Sequence, residues 1–194
     1  MPGWQRYYLA RHTDEFAFVS VAIDIGGPEA VRVWTERAGA QFPTVIDADN
    51  QLGAVLGFKA IPNGVVLDRQ GIIRYAKFGG FEVNRPEDLQ AVESAMQPSA
   101  GPVAESDNGK ELKGADQERV AALLRDGTAK LHAGDREAGL TAWRAALRLD
   151  PDNLVIRKQL WRADHPERFG EEIDAGWQKD QLTLERQHEA AAGG

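Results

Sequence analysis

Residues 16–24 constrain the fold most, because the run Phe-Ala-Phe-Val-Ser-Val-Ala-Ile-Asp is almost uninterrupted in apolar and β-branched residues. Such a run is typical of a strand that is buried on both faces of a parallel sheet. A Gly-Gly turn follows at 26–27, and apolar residues then recur at helical spacing up to Gly39. A strand followed by a helix in this way predicts an α/β fold.

The next segments extend this prediction to a mixed sheet. The apolar stretches 64–67 and 72–78 flank Asp-Arg-Gln-Gly, which is a β-hairpin signature. We therefore expect 16–24, 64–67 and 72–78 in one sheet, with the last two antiparallel and the first parallel to the second. A final helix is expected after Pro86, which closes a first domain at residues 1–96.

The second half of the chain is predicted to be helical. Residues 97–117 are rich in Gly, Pro, Ser, Asp and Asn, which indicates a linker. Two amphipathic helices follow at 120–131 and 139–149, and the short polar turn between them predicts an αα-hairpin within an α-helical domain at 118–194. A charged tail ends in Ala-Ala-Ala-Gly-Gly, for which we expect a frayed terminus.

Composition excludes several functional classes. The chain has 194 residues and no cysteine, so disulfides, Cys-ligated zinc, iron-sulfur clusters and a thiolate nucleophile are excluded. Its net charge of −7 offers no basic field for nucleic acid. The apolar runs are too short to span a bilayer and the start has no apolar signal core, so we expect a soluble, cytoplasmic protein that does not enter membranes.

No cofactor or metal site is predicted. The stretch Asp-Ala-Asp-Asn-Gln at 47–51 begins like a calcium loop, but Leu52 replaces the required glycine and Phe58 stands where the bidentate glutamate belongs. We expect a helix cap there instead. The four histidines have no second histidine or cysteine three or four residues away, and no phosphate-binding glycine motif occurs.

The first half resembles a redoxin/TlpA-type thioredoxin domain after its first βα unit. The resemblance rests on the order strand, helix, Phe-Pro-Thr-Val-Ile-Asp at 42–47, short helix, Gly-Phe-Lys-Ala-Ile-Pro at 57–62, hairpin, Phe-Gly-Gly at 78–80 and helix. It implies a thiol-disulfide oxidoreductase lineage and a cis peptide bond before Pro62. The loop Ile61, Pro62 and Asn63 would line a groove for a substrate backbone, although the family usually has Thr or Ser where this chain has Asn63.

The first two residues of the chain add to this resemblance. Relatives commonly read CxxC, about two residues, then Glu-Met-Pro, and this chain begins Met1-Pro2. The resemblance implies that the central first strand and the dithiol are missing. Three explanations follow: the open reading frame begins too late, the protein is a decayed paralogue, or the sheet is completed by closing up or by another chain. The remaining explanation is that the match of Met1-Pro2 to the family pattern is a coincidence of two residues.

The second half resembles a single tetratricopeptide repeat. The matching small, aromatic and helix-stop positions that define its packing are Gly127, Ala129, Gly134, Asp135, Gly139, Trp143, Ala146, Leu147 and Pro151. Small residues would let the two helices approach, Trp143 would fill the groove between them, and Pro151 would end the second helix. Because stable arrays usually need about three repeats, the hairpin either holds a peptide or only packs on its neighbour.

Three functional classes follow from these expectations. As encoded, the chain would be a redox-inactive, thioredoxin-like binding or adaptor protein with a protein or peptide partner, and not an enzyme. The alternative is an N-terminally truncated fragment of an active disulfide reductase whose CxxC lies upstream of Met1. The third is a homo-oligomer that completes its sheet across chains, which light scattering would detect as a concentration-dependent mass.

Overall fold

The computed structural model describes residues 2–11, 16–97, 114–170 and 174–192. The chain forms two compact units, Met1–Arg157 and Lys158–Gly194. The elements that begin within the first unit are α1 (Pro2–Arg11), β1 (Ser20–Ala22), α2 (Gly27–Ala38), β2 (Thr44–Ile46), α3 (Gln51–Leu56), β3 (Gly64–Leu67), β4 (Ile73–Lys77), α4 (Pro86–Ala95), α5 (Gly114–His132), α6 (Arg136–Leu149) and α7 (Leu154–Asp164).

The described strands form two separate sheets in a mixed α/β architecture. β1 and β2 are parallel, and β3 and β4 are antiparallel with a bulge after Val66. The predicted antiparallel hairpin is confirmed, but the predicted single mixed sheet is wrong for the described residues. The predicted strand at 16–24 is reduced to Ser20–Ala22, because only these three residues have a partner strand and that partner, β2, has only three residues.

The start of α3 and the end of α2 are fixed by local interactions that the sequence predicts. The Asp47 carboxylate accepts from the backbone N–H of Gln51 at 2.7 Å and of Leu52 at 2.8 Å, so it caps α3. This confirms the helix cap expected in place of a calcium loop. Gly39 ends α2 in the left-handed region at φ 58°, where glycine has no steric penalty.

The helical hairpin α5–α6 is closely packed around a buried tryptophan. Trp143 is 1% exposed, and its indole N–H donates to the Leu124 carbonyl at 3.1 Å. Residues 114–117, which were assigned to the linker, belong instead to α5, because the helical pattern extends one and a half turns earlier than Val120. Residues 98–113 of the predicted linker lie outside the described residues.

The hairpin is joined to the α/β part within the first unit. Lys59 Nζ contacts Asp150 Oδ1 at 2.8 Å, and the Val155 N–H donates to the Lys59 carbonyl at 3.2 Å. The compact units therefore divide after Arg157, whereas the sequence suggested a division at 97–117.

The second unit, Lys158–Gly194, contains the remainder of α7, a 3₁₀ turn at Pro166–Phe169 and α8 (Ala175–Ala192). Trp161 and Trp177 meet edge to face with ring centroids 5.7 Å apart, and the Trp161 indole N–H donates to Glu185 at 2.6 Å. The charged tail, for which no helix was predicted, is helical over Ala175–Ala192, because α8 has these partners on α7. Residues 193–194 lie outside the described residues.

Asp88 gives a prediction about acid stability. Its side chain is buried near the start of α4 and accepts from Lys77 Nζ on β4 and from the Glu82 N–H. Burial raises the pKa of Asp88, but these hydrogen bonds outweigh it, so the pKa lies below its ordinary value. A depressed pKa stabilises the fold above the unfolded-state value of about 3.9, and this contribution is lost as pH falls through the folded-state pKa.

We expect Asp88→Asn to lose roughly 1.5 to 3 kcal/mol of unfolding free energy at pH 7, the range for hydrogen bonds to charged groups. The wild-type and variant curves should begin to converge as pH falls below about 3.9, and they should meet only below the depressed folded-state pKa of Asp88, where the native carboxylate is protonated. Urea unfolding from pH 7 to pH 2 measures this. Because Asp68 also has a lowered pKa, the difference between the two curves, and not the wild-type slope, reports Asp88. A constant difference at every pH would contradict this prediction.

Candidate peptide-binding site

The loop Ile61, Pro62 and Asn63 lies at the surface immediately before β3. The Ile61–Pro62 peptide bond is cis, as the resemblance implied, and both residues are exposed. The Pro62 carbonyl accepts from the Phe81 N–H at 3.1 Å, and Asn63 Oδ1 accepts from the Gly79 N–H at 2.7 Å. The asparagine that departs from the family pattern therefore fixes the loop against the turn after β4.

β3 has one paired edge and one edge without a strand partner among the described residues. The Pro62 carbonyl and the Asp68 N–H both bond toward the β4 side, to Phe81 and Ile72. Backbone groups alternate between the two edges of a strand, so the N–H and C=O of Val65 and Leu67 point to the other edge. Val65 is 37% exposed and Leu67 is 57% exposed, so the face of β3 that carries these two side chains meets solvent.

β1 has the same asymmetry. The Ser20 N–H donates to the Pro43 carbonyl at 3.0 Å, and the Ala22 carbonyl accepts from the Asp47 N–H at 2.9 Å, so both residues bond toward the β2 side. Val21 lies between them, and its N–H and C=O point away from β2. Val21 is 41% exposed, and no described strand pairs with its edge.

An aromatic cluster on α1 connects the beginnings of these two strands. The Trp4 ring lies 5.9 Å from Phe18, two residues before β1, and stacks on Phe81 at 4.8 Å. The Phe81 ring in turn lies against Gly64, the first residue of β3. Trp4 therefore contacts residues next to the beginnings of both β1 and β3. We call the region bounded by Val21 on β1 and by Val65 and Leu67 on β3 the inter-sheet slot.

Trp4 and Phe18 border the slot without being fully covered, since both rings are only half-buried. Sequence reasoning did not identify them as site residues. Trp4 and Tyr8 are one helical turn apart, and Tyr8 also contacts Phe18, so an aromatic face on the first helix was the available signal. Which strands this face would touch depends on residues distant in sequence.

The helix α1 is anchored on α4. The Tyr7 hydroxyl donates to Met96 Sδ at 3.9 Å, and Arg11 forms an ion pair with Glu93. Burial, followed by the nearby Glu93 charge, raises the pKa of Tyr7, so this phenol stays a neutral donor at physiological pH. These contacts hold the Trp4 ring at the slot.

Gly64 supplies a direct test of the ring arrangement. A Cβ at this position would overlap the Phe81 ring, which is stacked on Trp4. We expect Gly64→Ala to cost about 1 to 3 kcal/mol of unfolding free energy by overpacking, with an altered tryptophan fluorescence spectrum. The matched control is Gly114→Ala, which has open space around its Cβ and should change stability little. Equal stability of the two variants in denaturant titrations would show that Phe81 moves freely.

The residues assigned to hairpin packing lie in a different place. Gly127 and Gly139 face each other, since a Cβ on Gly127 would lie 2.8 Å from the Gly139 carbonyl oxygen. Trp143 and Ala146 are buried in the same contact. Gly134 has φ +85° in the turn before α6, and the Pro151 carbonyl accepts from Arg157 Nη2 at 2.8 Å in the turn after it. None of these six residues borders the inter-sheet slot.

The outer face of the hairpin offers little for a ligand. An open depression of ≈ 520 Å³ lies between α5 and α6. Asp126 on its wall is paired with Lys130 at 2.6 Å, and Asp135 caps α6 by accepting from the Ala138 N–H at 3.1 Å. Because these polar groups are satisfied within the hairpin, the geometry favours packing over peptide capture here.

Other chemistry is not supported by the described side chains. Within residues 2–11, 16–97, 114–170 and 174–192, no three His, Cys, Asp or Glu side chains converge as a metal site would require. No helix in that part of the chain has the length and apolar character needed to cross a membrane. The inter-sheet slot offers hydrogen-bonding backbone and apolar contact, and the cysteine-free chain offers no thiol.

Comparison of the chain with protein-family models, with curated proteins and with solved structures finds no match in any of the three.

Proposed function

We propose that this protein is a redox-inactive, thioredoxin-like binding protein that holds a protein or peptide partner at the inter-sheet slot and the adjoining Ile61–Pro62–Asn63 loop. The observation that carries the proposal is the division of the strands into two sheets, in each of which one strand, β1 or β3, has an edge with no described strand partner near the Trp4 cluster. The thioredoxin-like assignment rests on the resemblance of the sequence at 16–24, 42–47, 57–62 and 78–80.

The character of the two edges supports binding. Proteins usually protect a solvent-exposed strand edge with charged side chains, which discourage pairing with other chains. β4 carries Arg74 and Lys77, whereas residues 16–23 and 61–67 contain no charged side chain. The edges that border the slot are therefore unprotected, as is the edge of β2, whose residues Thr44–Ile46 are also uncharged; an unprotected edge is expected where pairing with a partner is the function.

Exposed apolar side chains around the slot also support the binding of a partner. Ile61, Val21, Val65 and Leu67 are all exposed around the slot. Covering apolar surface contributes roughly 25 cal/mol per Å², so a partner that buries these side chains gains affinity without any charged contact. A group of exposed apolar side chains on neighbouring strands is a feature of interaction sites.

The absence of cysteine makes a clean binding assay available. A single Ile61→Cys substitution carries an environment-sensitive fluorophore at the loop, and Val55→Cys on α3, where Val55 is 79% exposed, is the matched control. The probe is a capped ten-residue peptide, four Val-Thr repeats with one lysine at each end. We expect saturable fluorescence change only at Ile61. No saturation at Ile61, or the same response at both positions, would overturn the proposal.

The split sheet also favours a second candidate, in which a strand and a CxxC pair encoded upstream of Met1 complete the sheet of a disulfide reductase. The two candidates differ in insulin reduction. The cysteine-free chain has no group that can form a mixed disulfide, so it should not exceed a buffer control. A longer in-frame product with both features should reduce insulin and should no longer bind the probe peptide, because its own strand would occupy the slot.

A further inference from the structure

We infer that the occupant of the inter-sheet slot is one extended, uncharged polypeptide strand that pairs with β1 and β3 at the same time. This inference rests on the proposed function and deepens it, because it specifies the chemistry and the binding mode of the partner. Two two-stranded sheets would thereby become one five-stranded sheet.

The hydrogen-bonding groups on the slot identify a polypeptide. Val21 on one side and Val65 and Leu67 on the other direct N–H and C=O groups toward the slot. An extended chain presents matching donors and acceptors at a rise of roughly 3.3 Å per residue, and its successive residues alternate between its two edges. A small apolar molecule or a lipid chain would leave these groups unsatisfied, which costs free energy when they are covered.

The dimensions of the aromatic cluster limit the slot to one inserted strand at most. Trp4 is 5.9 Å from Phe18 and 4.8 Å from Phe81, so the two phenylalanine centroids are at most 10.7 Å apart, the sum of these distances. Phe18 belongs to the β1 side and Phe81 lies against the start of β3. One strand inserted between two others requires about 9.5 Å, which is two inter-strand spacings, and a second inserted strand would need about 14 Å.

The residues that border the slot also determine which side chains the inserted strand should carry. One face of the inserted strand would lie on the half-buried rings of Trp4 and Phe18, which suits apolar, β-branched residues at alternate positions. The segments 16–23 and 61–67 contain no charged residue that could pair with a charge on the strand. A charged residue at the centre of the occupant would therefore be desolvated without compensation.

N-methylated versions of the Val-Thr probe peptide distinguish pairing on both edges from simple apolar binding. Methylating alternate residues removes the N–H donors from one edge of the peptide and leaves the other edge intact. Two such peptides, methylated at odd and at even positions, test the two edges separately. We expect each to bind at least tenfold more weakly than the unmodified peptide, measured with the fluorophore at Ile61→Cys.

A pair of proline variants on the protein provides the reciprocal test. Val65 and Ala76 are opposite each other in the β3–β4 ladder, on a rung where both backbones point away from one another. Val65→Pro therefore removes an N–H that faces the slot, and Ala76→Pro removes one that faces the outer edge of β4. We expect Val65→Pro to weaken binding about tenfold, the effect of one lost backbone hydrogen bond, and Ala76→Pro to leave it unchanged. Circular dichroism establishes that both variants are folded.

The outcomes separate the two levels of the proposal. Weakening by only one methylated peptide would overturn pairing on both edges while leaving peptide binding at the site intact. Equal binding of all three peptides would show apolar adsorption and overturn strand insertion. Failure of the unmodified peptide to bind would overturn the proposed function as well. A mass that doubles with concentration, with no response to peptide, would assign the slot to a second copy of this chain and overturn insertion of a partner strand.

Discussion

Replacing Trp143 by alanine should lower the free energy of unfolding by about 3 to 5 kcal/mol, the range for large-to-small aromatic changes in a core. The ring is 1% exposed, donates its N–H to the Leu124 carbonyl and lies directly against Gly127. Alanine would lose the buried surface, leave a cavity between α5 and α6 and orphan the carbonyl. Chemical denaturation followed by far-ultraviolet circular dichroism measures the loss.

The matched control is the same substitution at Trp34, whose ring on α2 is only half-buried beneath the Arg37 guanidinium. It removes an equal number of atoms from a site that solvent can enter, so the loss should be less than half of that at Trp143. Similar losses at the two positions would mean that the hairpin contact is no better packed than the surface of α2.

Asp150→Ala should destabilise the chain by roughly 2 to 4 kcal/mol, because truncating one member of a largely buried ion pair removes the charge that compensates the other. Asp150 is 3% exposed and accepts from Lys59 Nζ at 2.8 Å and from Asn153 Nδ2 at 3.0 Å. Since Lys59 comes from the α/β part and Asp150 ends α6, the loss should also uncouple the unfolding of these two parts. Denaturation followed separately by tryptophan fluorescence and circular dichroism would then give non-coincident transitions.

Asp126→Ala is the control for this change. Asp126 also contacts a lysine, Lys130 at 2.6 Å, but both side chains are largely exposed on one face of α5. An exposed pair of this kind contributes about 0.3 to 0.5 kcal/mol. A double-mutant cycle with Lys59→Met measures the coupling across the junction, and a coupling near zero would show that Asp150 acts only through its bond to Asn153.

The parts of the structure that were predicted correctly depend on local chemistry. Asp47 caps α3 because a carboxylate before a helix accepts its free N–H groups, whatever the rest of the fold. The hairpin of β3 and β4 follows from two apolar runs around Asp-Arg-Gln-Gly. Gly127, Gly139 and Trp143 meet because small and large residues on two short-linked helices must interdigitate for the helices to pack.

The errors share a different origin. The run 16–24 has the composition of a strand buried on both faces, but only Ser20–Ala22 is paired, because the composition cannot say whether a partner strand is present on each side. The tail at 175–192 is helical because the hydrogen bond between Trp161 and Glu185 connects it to α7. Helix propensity is weak for an isolated segment and does not include such tertiary contacts.

The sequence by itself determined the α/β character of the first half, the cysteine-free chemistry, the cap at Asp47, the hairpin turn and the residues of the α5–α6 contact, because each depends on neighbours within a few residues or on a regular repeat. Only the tertiary structure decided that the strands divide into two sheets, that Trp4 lies between Phe18 and Phe81, and that Val21, Val65 and Leu67 border one slot. Strand pairing and ring contacts join residues up to 77 positions apart, from Trp4 to Phe81. The free energy that stabilises these contacts comes from burial and from hydrogen bonds between distant segments, which no local sequence pattern encodes.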